Sequence, residues 1–242
     1  MHTLLLQFFV VAISCVSVPI YGGDGEESFF IEGYAGEVSY APGEELTLHV
    51  STSAASFSAE ITRLGAERLT VWKQEGLAGG ARAIPEDASS VGCGWPVSVT
   101  VPIPVEWKSG YYHVALRIRD NGGKYVRRNA RTAEASCYFV LREAPGIAEP
   151  SPILIQLSTN TYNAYNNWGG FSLYGFHGRG GNQGHRVSFL RPPSSLFSNW
   201  EQGFVEWVER EGIRLAYAAN SDLEFRPEVL ENRRLVLSVG HD

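Results

Sequence analysis

The sequence predicts a β-rich protein in two parts: an antiparallel sandwich of the immunoglobulin-like type, followed by a parallel α/β sheet. Three observations support this division. Residues 29–142 hold short alternating apolar runs separated by turn signals. Residues 144–152 contain three prolines in nine positions, which prevents regular structure. After residue 153 strand-like and helix-like patterns alternate, as they do in α/β folds. A chain of 242 residues has room for two such domains.

The predicted sandwich covers residues 28–143. After the Pro42-Gly43 turn, Leu46, Leu48 and Val50 alternate with polar residues and point to one side of a strand. The same alternation recurs at Phe57, Ala59 and Ile61, and further strands are predicted at 97–101, 111–118, 124–126 and 138–141. Short strands at this spacing are typical of a sandwich.

The predicted α/β part covers residues 153–242, beyond the linker at 144–152. Its first strand is 153–157. A helix is predicted from the capping box Ser198–Glu201, with Phe204, Trp207 and Val208 on its buried face and Gly212 at its end. A strand at 213–217, a short helix at 226–232 and a strand at 234–239 follow. The last strand is almost continuously apolar, which predicts burial on both faces.

The N-terminal residues 1–23 are predicted to be a signal peptide, because an apolar run of signal-peptide length lies between Leu4 and Ile13. Export to the periplasm or the outside of the cell follows from this prediction, and without a signal the protein is cytoplasmic. No other stretch is predicted to span a membrane. In an oxidising compartment Cys93 and Cys137 could form a disulfide, and two buried free thiols are the alternative.

The stretch from 153 to 192 is unusual because a buried strand is followed by Asn, Gly and aromatic residues without periodicity. Such residues allow a long irregular loop, and long loops in compact domains are commonly functional. The amides and the indole at Asn160, Asn163, Asn166, Asn167 and Trp168 are therefore predicted to bind substrate. The alternative is a structural loop whose amides satisfy their own backbone.

Composition and motifs exclude several functions. The net charge of −6 argues against a nucleic-acid partner. The sequence contains no H-x-x-x-H, paired C-x-x-C or G-x-S-x-G pattern, so zinc and hydrolase-elbow chemistry have no support. Tyrosine and carboxylate side chains remain, and these hard oxygen donors suit ferric iron.

Three motifs carry a family resemblance: T-N-T-Y-N-A-Y-N-N-W-G-G at 159–170, V-S-F-L-R-P at 187–192 and V-G-H-D at 239–242. Together they resemble the large (beta) subunit of N,N-dimethylformamidase, over roughly residues 105–242. The resemblance implies a flavodoxin-like, glutamine-amidotransferase-like domain. It also implies an amidase with one iron ion held by two tyrosines and a glutamate, and with water as the nucleophile.

The resemblance assigns roles to individual residues. Either Tyr162 or Tyr165 corresponds to one tyrosine ligand, and Tyr112, in an S-G-x-Y pattern, corresponds to the other, with core packing as its alternative role. His241 and Asp242 match the start of a G-H-D-E motif and are predicted to lie in or beside the catalytic site, or else to cap a helix. The glutamate would follow Asp242.

Two functions follow as hypotheses. The first is an iron-dependent hydrolase acting on the C–N bond of small linear amides, with a homo-oligomer or a small partner subunit as its possible assembly. The second is a non-catalytic exported module that binds a carbohydrate or a protein. Three parallel strands make a small, half-exposed sheet, so the chain is expected to be the N-terminal piece of a longer protein that is inactive by itself.

Overall fold

A computed structural model describes residues 29–120 and 131–239 of the chain. The first part of the described chain consists of strands and one short helix. Its elements are β1 (Ile31–Ala35), β2 (Ser39–Tyr40), β3 (Glu45–Thr52), β4 (Ser56–Leu64), β5 (Arg68–Ala78), α1 (Ala88–Val91), β6 (Val99–Pro102), β7 (Gly110–Asp120) and β8 (Arg131–Leu141). The predicted strand at 124–126 lies outside the described residues.

These strands form two sheets that share a core. One sheet has the order β1-β3-β6 and is antiparallel, and the other has the order β2-β8-β7-β4-β5, in which only the short β2 pairs in parallel. Leu46, Leu48 and Val50 are buried on β3, and Phe57, Ala59 and Ile61 are buried on β4. The predicted alternation along these two strands is therefore confirmed, because every second side chain enters the shared core.

The second part holds a three-stranded parallel sheet with helices. Its main elements are β9 (Ile153–Leu157), α2 (Thr159–Tyr165), α3 (Phe197–Trp200), α4 (Gln202–Arg210), β10 (Leu215–Ala219), α5 (Asn220–Phe225) and β11 (Leu235–Ser238). The strand order is β10-β9-β11, with β9 in the middle. The architecture is thus β plus α/β-like, with few helices and no barrel among the described residues.

The loop after β9 departs from the prediction. No regular structure was expected there, yet Thr159–Tyr165 is a helical segment, with Tyr162 N–H donating to the carbonyl of Ser158. The Tyr162 side chain is fully buried against Ile155 and Leu157 of β9. Burial of one helical face compensates for the weak helix propensity of Asn, Thr and Tyr.

The predicted capping box was wrong. Ser198 lies inside α3 and its hydroxyl donates to Asn199, while Glu201 stands between α3 and α4 with its carboxylate buried. Of the side chains expected on the buried face of α4, Val208 is buried and Trp207 faces solvent. The left-handed Gly212, with φ of 71°, follows the end of the helix as predicted.

Strand β11 also differs from the prediction of burial on both faces. Leu235 and Val236 are 47% and 43% exposed. The physical reason is position, since β11 is an edge strand that pairs with β9 on one side only in the described structure. An apolar run predicts a strand here correctly, but it does not predict which strands flank it.

The two parts of the chain pack through a mixed aromatic and ionic interface. Tyr111 of β7 stacks on Phe197 of α3 at a centroid distance of 4.0 Å. Nearby, Arg63 of β4 forms an ion pair with Glu209 of α4 at 2.5 Å. Burial opposes ionisation of Glu209, but hydrogen bonds from Arg63 and the Ala66 N–H outweigh burial and lower its pKa. The contact therefore joins the two parts by both packing and charge.

We expect the first proteolytic cut to fall between residues 144 and 152, where the side chain of Glu149 is 85% exposed. Digestion with the glutamate-specific protease Glu-C should leave a protected piece of about residues 28–143. The two pieces should still co-elute in size-exclusion chromatography, because the Arg63–Glu209 pair and the aromatic contacts hold them together. Glu149→Gln serves as the control that removes this cut. A first cut between residues 100 and 119, or separate elution of the pieces, would contradict this division of the chain.

Candidate functional site

The loops that follow the three parallel strands are tied together at the carboxyl edge of the sheet. The hydroxyl of Ser158, directly after β9, donates to the carbonyl of Val239, directly after β11. Asn220, directly after β10, accepts a hydrogen bond from the Asn160 backbone N–H at 2.9 Å and another from the Thr159 hydroxyl at 3.3 Å. Ligands of open α/β sheets bind at this edge. It is therefore the candidate functional site.

The two predicted catalytic residues, His241 and Asp242, lie outside the described residues. Val239 is the last described residue before them, and its carbonyl is held by Ser158. The sequence alone therefore relates these two residues to the edge, because they follow Val239 by two and three positions.

Tyr162, one of the predicted metal ligands, lies beneath the edge in the core. Its ring packs edge-on against Tyr138 at 5.9 Å, and its hydroxyl lies beside the buried carboxylate of Glu201. Burial, followed by the charge of Glu201, raises the pKa of Tyr162. Glu201 also accepts a long hydrogen bond from the Ser158 N–H at 3.5 Å. Tyr162 is thus a neutral phenol inside the hydrophobic core.

Tyr165, at the end of α2, lies in a different environment. Its half-buried ring stacks on Tyr174 at 4.3 Å and lies 5.9 Å from the ring of His177. A hydrogen bond with Tyr165 raises the pKa of Tyr174. Nδ1 of His177 is buried and has no hydrogen-bond partner in the described structure. Two phenols and an imidazole therefore share one partly open cluster.

Tyr112, the third predicted ligand, belongs to the core of the two-sheet part. Its hydroxyl donates to the Lys108 carbonyl at 2.6 Å, and its ring stacks on Trp107 at 5.4 Å. Burial raises its pKa. The alternative expected for Tyr112, core packing, is what these contacts describe.

The structure therefore does not bring the three predicted tyrosine ligands together. The Tyr112 hydroxyl faces the Lys108 carbonyl, and the Tyr162 hydroxyl faces the Glu201 carboxylate. The Tyr165 hydroxyl faces the Tyr174 hydroxyl. Residues 29–120 and 131–239 also contain no group of three His, Cys, Asp or Glu side chains that could hold a metal ion. The predicted donor set does not fit a single iron ion. The physical reason is that strand β7 turns Tyr112 into one core and helix α2 turns Tyr162 into another, whereas Tyr165 lies in the partly open cluster with Tyr174 and His177.

The five predicted substrate-binding residues divide into two groups. Asn163 and Asn166 are buried and bind protein groups: the side-chain oxygen of Asn163 accepts from Arg191 at 3.3 Å, and the side chain of Asn166 donates to the Pro192 carbonyl at 2.9 Å. The Trp168 indole donates to Glu32 at 3.0 Å. Asn160 and Asn167 are exposed. Of these two, Asn167 donates its side-chain amide to the His177 carbonyl at 3.4 Å.

Arg191 is a buried residue whose importance the sequence did not reveal. Its guanidinium is fully buried, and each of its nitrogens donates to oxygen atoms of the segment from Asn163, in α2, to Ser188. The acceptors are the carbonyls of Ser188, Trp168, Phe171, Asn163 and Asn166, together with the side-chain oxygen of Asn163. Burial lowers the pKa of Arg191 to about 10. In the sequence Arg191 lies within the motif V-S-F-L-R-P at 187–192, but that motif does not indicate burial, because arginine is rarely fully buried.

The two cysteines among the described residues are not bonded to each other. Cys93 and Cys137 are both buried free thiols, in separate cores, so the disulfide alternative is not formed. Burial raises the pKa of each thiol to about 12, which makes both unreactive.

No described helix combines the length and apolar character that crossing a bilayer requires.

We predict that Arg191→Lys lowers the free energy of unfolding by about 3 kcal/mol, because lysine keeps the buried charge but has fewer donors for the carbonyls. Urea denaturation measures this change. The matched control is Arg186→Lys in the same loop, whose exposed side chain should change stability by less than about 0.5 kcal/mol. Equal effects of the two substitutions would show that Arg191 does not hold the loop.

Comparison with known families gives one match. The sequence profile described as "N,N-dimethylformamidase beta subunit-like, C-terminal" matches residues 58–242. No curated protein matches the chain.

Proposed function

Because the chain belongs to the N,N-dimethylformamidase beta subunit-like family, we propose that it is part of a hydrolase that cleaves the C–N bond of small linear amides. The observation that carries this proposal is the carboxyl edge of the parallel sheet. There Ser158, Asn220 and Val239 join three loops through direct hydrogen bonds. Two of these loops contain motifs of the family resemblance, at 159–170 and 239–242.

The strand order supports a finer description of the fold. In β10-β9-β11 the first strand of the parallel sheet lies between the second and the third, as at the start of flavodoxin-like sheets. We therefore propose that this part is flavodoxin-like and related to glutamine-amidotransferase domains. The two facing sheets of the first part support an immunoglobulin-like sandwich, with residues 144–152 as the linker.

The proposed reaction consumes water and an amide and yields a carboxylic acid and an amine. One group must accept a proton from water, and one must protonate the departing nitrogen. We assign these roles to His241 and Asp242. Asn160 has an exposed side chain whose backbone N–H is fixed by Asn220, so its amide can donate to the substrate carbonyl. Asn160 lies at the carboxyl edge, and in the sequence His241 and Asp242 follow Val239 by two and three positions.

The family resemblance implies an iron ion. Of the three candidate tyrosines, we propose only Tyr165 as a ligand of that ion. Tyr165 is the tyrosine whose phenol lies in a partly open cluster, beside Tyr174 and His177. The phenols of Tyr112 and Tyr162 are enclosed in cores. If the protein holds ferric iron, Tyr165 would be one ligand, and the glutamate that the resemblance implies would follow Asp242. No step of the proposed reaction depends on this ion here.

We predict that the protein with its natural chain ends releases formate from formamide or N,N-dimethylformamide. His241→Ala should lower kcat/KM by about 100-fold, as expected for loss of an acid–base group. Asn160→Ala should lower it by about tenfold, the loss of one hydrogen bond to the reacting carbonyl. Asn167→Ala is the matched control, an exposed amide of the same loop, and should stay within twofold. Absence of formate release by the unmodified protein would refute the amidase proposal.

A second prediction concerns the tyrosine that could bind iron. Ferric phenolate complexes absorb visible light, so a protein that binds iron through Tyr165 should be coloured. Tyr165→Phe should remove both the colour and the iron found by elemental analysis, whereas Tyr162→Phe should keep both. Phe preserves ring packing at each position, so the two variants are matched. Loss of colour in Tyr162→Phe alone, or a colourless unmodified protein, would contradict the role of Tyr165.

A non-catalytic exported module that binds carbohydrate or protein is the second candidate function. Two exposed phenylalanines favour it: Phe176, in the segment after α2, and Phe225, at the end of α5, are 72% and 70% exposed. Exposed aromatic rings are common in recognition surfaces. Absence of amide hydrolysis combined with carbohydrate binding that is lost in Phe176→Ala would favour this function. The signal peptide predicted at 1–23, on which export depends, lies outside the described residues.

A further inference from the structure

A cavity of about 340 Å³ lies away from the carboxyl edge, between the outer face of strands β7 and β8 and the segment from Pro193 to Gln202. The polar groups that line it include Arg68, His113, Tyr138, Ser195, Ser198 and Gln202. None of the residues at the candidate amidase site lines it. Its size is at the lower end of the range for small-molecule sites in proteins.

Several donors of this cavity are not used by the protein. The side chain of Tyr138 is only 6% exposed, yet its hydroxyl makes no hydrogen bond within residues 29–120 and 131–239. Ser195 accepts hydrogen bonds from the Tyr111 hydroxyl at 2.9 Å and the Phe197 N–H at 3.2 Å, which leaves its own proton to be donated. A hydroxyl that faces the cavity and has no protein partner can donate a hydrogen bond to a ligand.

His113 adds a neutral donor to the same wall. Burial, followed by the charges of Arg68 and Arg117, lowers its pKa, although Glu134 and Glu60 act in the opposite direction. At neutral pH the imidazole therefore carries one N–H donor. It forms no hydrogen bond with the rest of the described chain.

The charge of the cavity favours an anion. Arg68 forms neither an ion pair nor a side-chain hydrogen bond among the described residues, and no Asp or Glu there lines the cavity. The nearest acidic group on α4, Glu206, is bound by Gln202 and Arg210, and after these bonds the charge of Arg68 also lowers its pKa, so Glu206 offsets part of the Arg68 charge. A free guanidinium beside hydroxyl donors is a typical site for a carboxylate, even in a protein with a net charge of −6.

The remaining walls are apolar and consist of the edges of stacked rings and of aliphatic groups. The rings of Tyr111 and Tyr138 stack at 5.4 Å with an interplanar angle of 18°, and Phe197 continues the stack. Leu64 and Pro193 complete this side of the cavity. We propose that the cavity binds a small aryl carboxylate, whose ring packs against these walls and whose carboxylate accepts hydrogen bonds from Arg68 and Tyr138. This proposal does not depend on the amidase proposal.

Isothermal titration calorimetry of the full chain with benzoate, benzamide and inorganic phosphate tests the proposal. Benzamide has the shape of benzoate without its charge, and phosphate has charge without the ring. We expect benzoate to bind at least tenfold more tightly than either. Arg68→Gln and Tyr138→Phe should each weaken benzoate binding by about tenfold. Arg210→Gln is the matched control, an arginine of the neighbouring helix that does not line the cavity, and should change binding less than twofold.

Several outcomes would overturn the proposal. Equal binding of benzamide and benzoate would show that the Arg68 charge is not used. Phosphate binding as tight as benzoate binding would show a site for bare anions, without a role for the aromatic wall. No heat from any of the three would show that the cavity is not a site for this class. Unchanged melting temperatures of the two variants establish that a loss of binding is not a loss of folding.

Discussion

The buried guanidinium of Arg191 is the interaction on which the loop after β9 depends. A charge removed from water needs compensation, and here it comes from backbone carbonyls of Asn163, Asn166, Trp168 and Phe171 rather than from a carboxylate. Carbonyl oxygens can converge on one point only if the chain bends around that point. The same hydrogen bonds that compensate the charge therefore fix the path of a segment that has little regular structure.

A second constraint is the shared interface between the two parts of the chain. Part of the outer face of β7 and β8 is covered by the second part of the chain, because Tyr111 and Tyr138 belong to the same core as Tyr162 and Phe197. The buried Glu201 and Ser158 lie next to this core. The carboxyl edge of the parallel sheet is thus supported from below by side chains of the antiparallel sheet. A substitution in the core of either part should therefore alter the structure of the carboxyl edge.

The sequence predicted those elements whose structure depends on local pattern. Alternation was sufficient for β3 and β4, and Gly212 was sufficient for the end of α4. The sequence-based prediction failed where contact with a residue distant in the chain determines the structure. Helix α2 forms because Tyr162 is buried by β9, and β11 is exposed because β9 pairs with it on one side only. No local pattern contains that information.

The same distinction applies to the candidate site. Composition correctly drew attention to the asparagines after β9, but identical side chains serve opposite purposes there. Asn163 and Asn166 face inward and hold Arg191 and the Pro192 carbonyl, while Asn160 and Asn167 face solvent. The helical turn of α2 separates the two sets, since residues three apart share a face. Tyr162 and Tyr165 are three residues apart and would share one face of a longer helix. The helix ends at Tyr165, however, and the Tyr165 ring stacks on Tyr174. The end of a seven-residue helix therefore decides which phenol can meet a ligand.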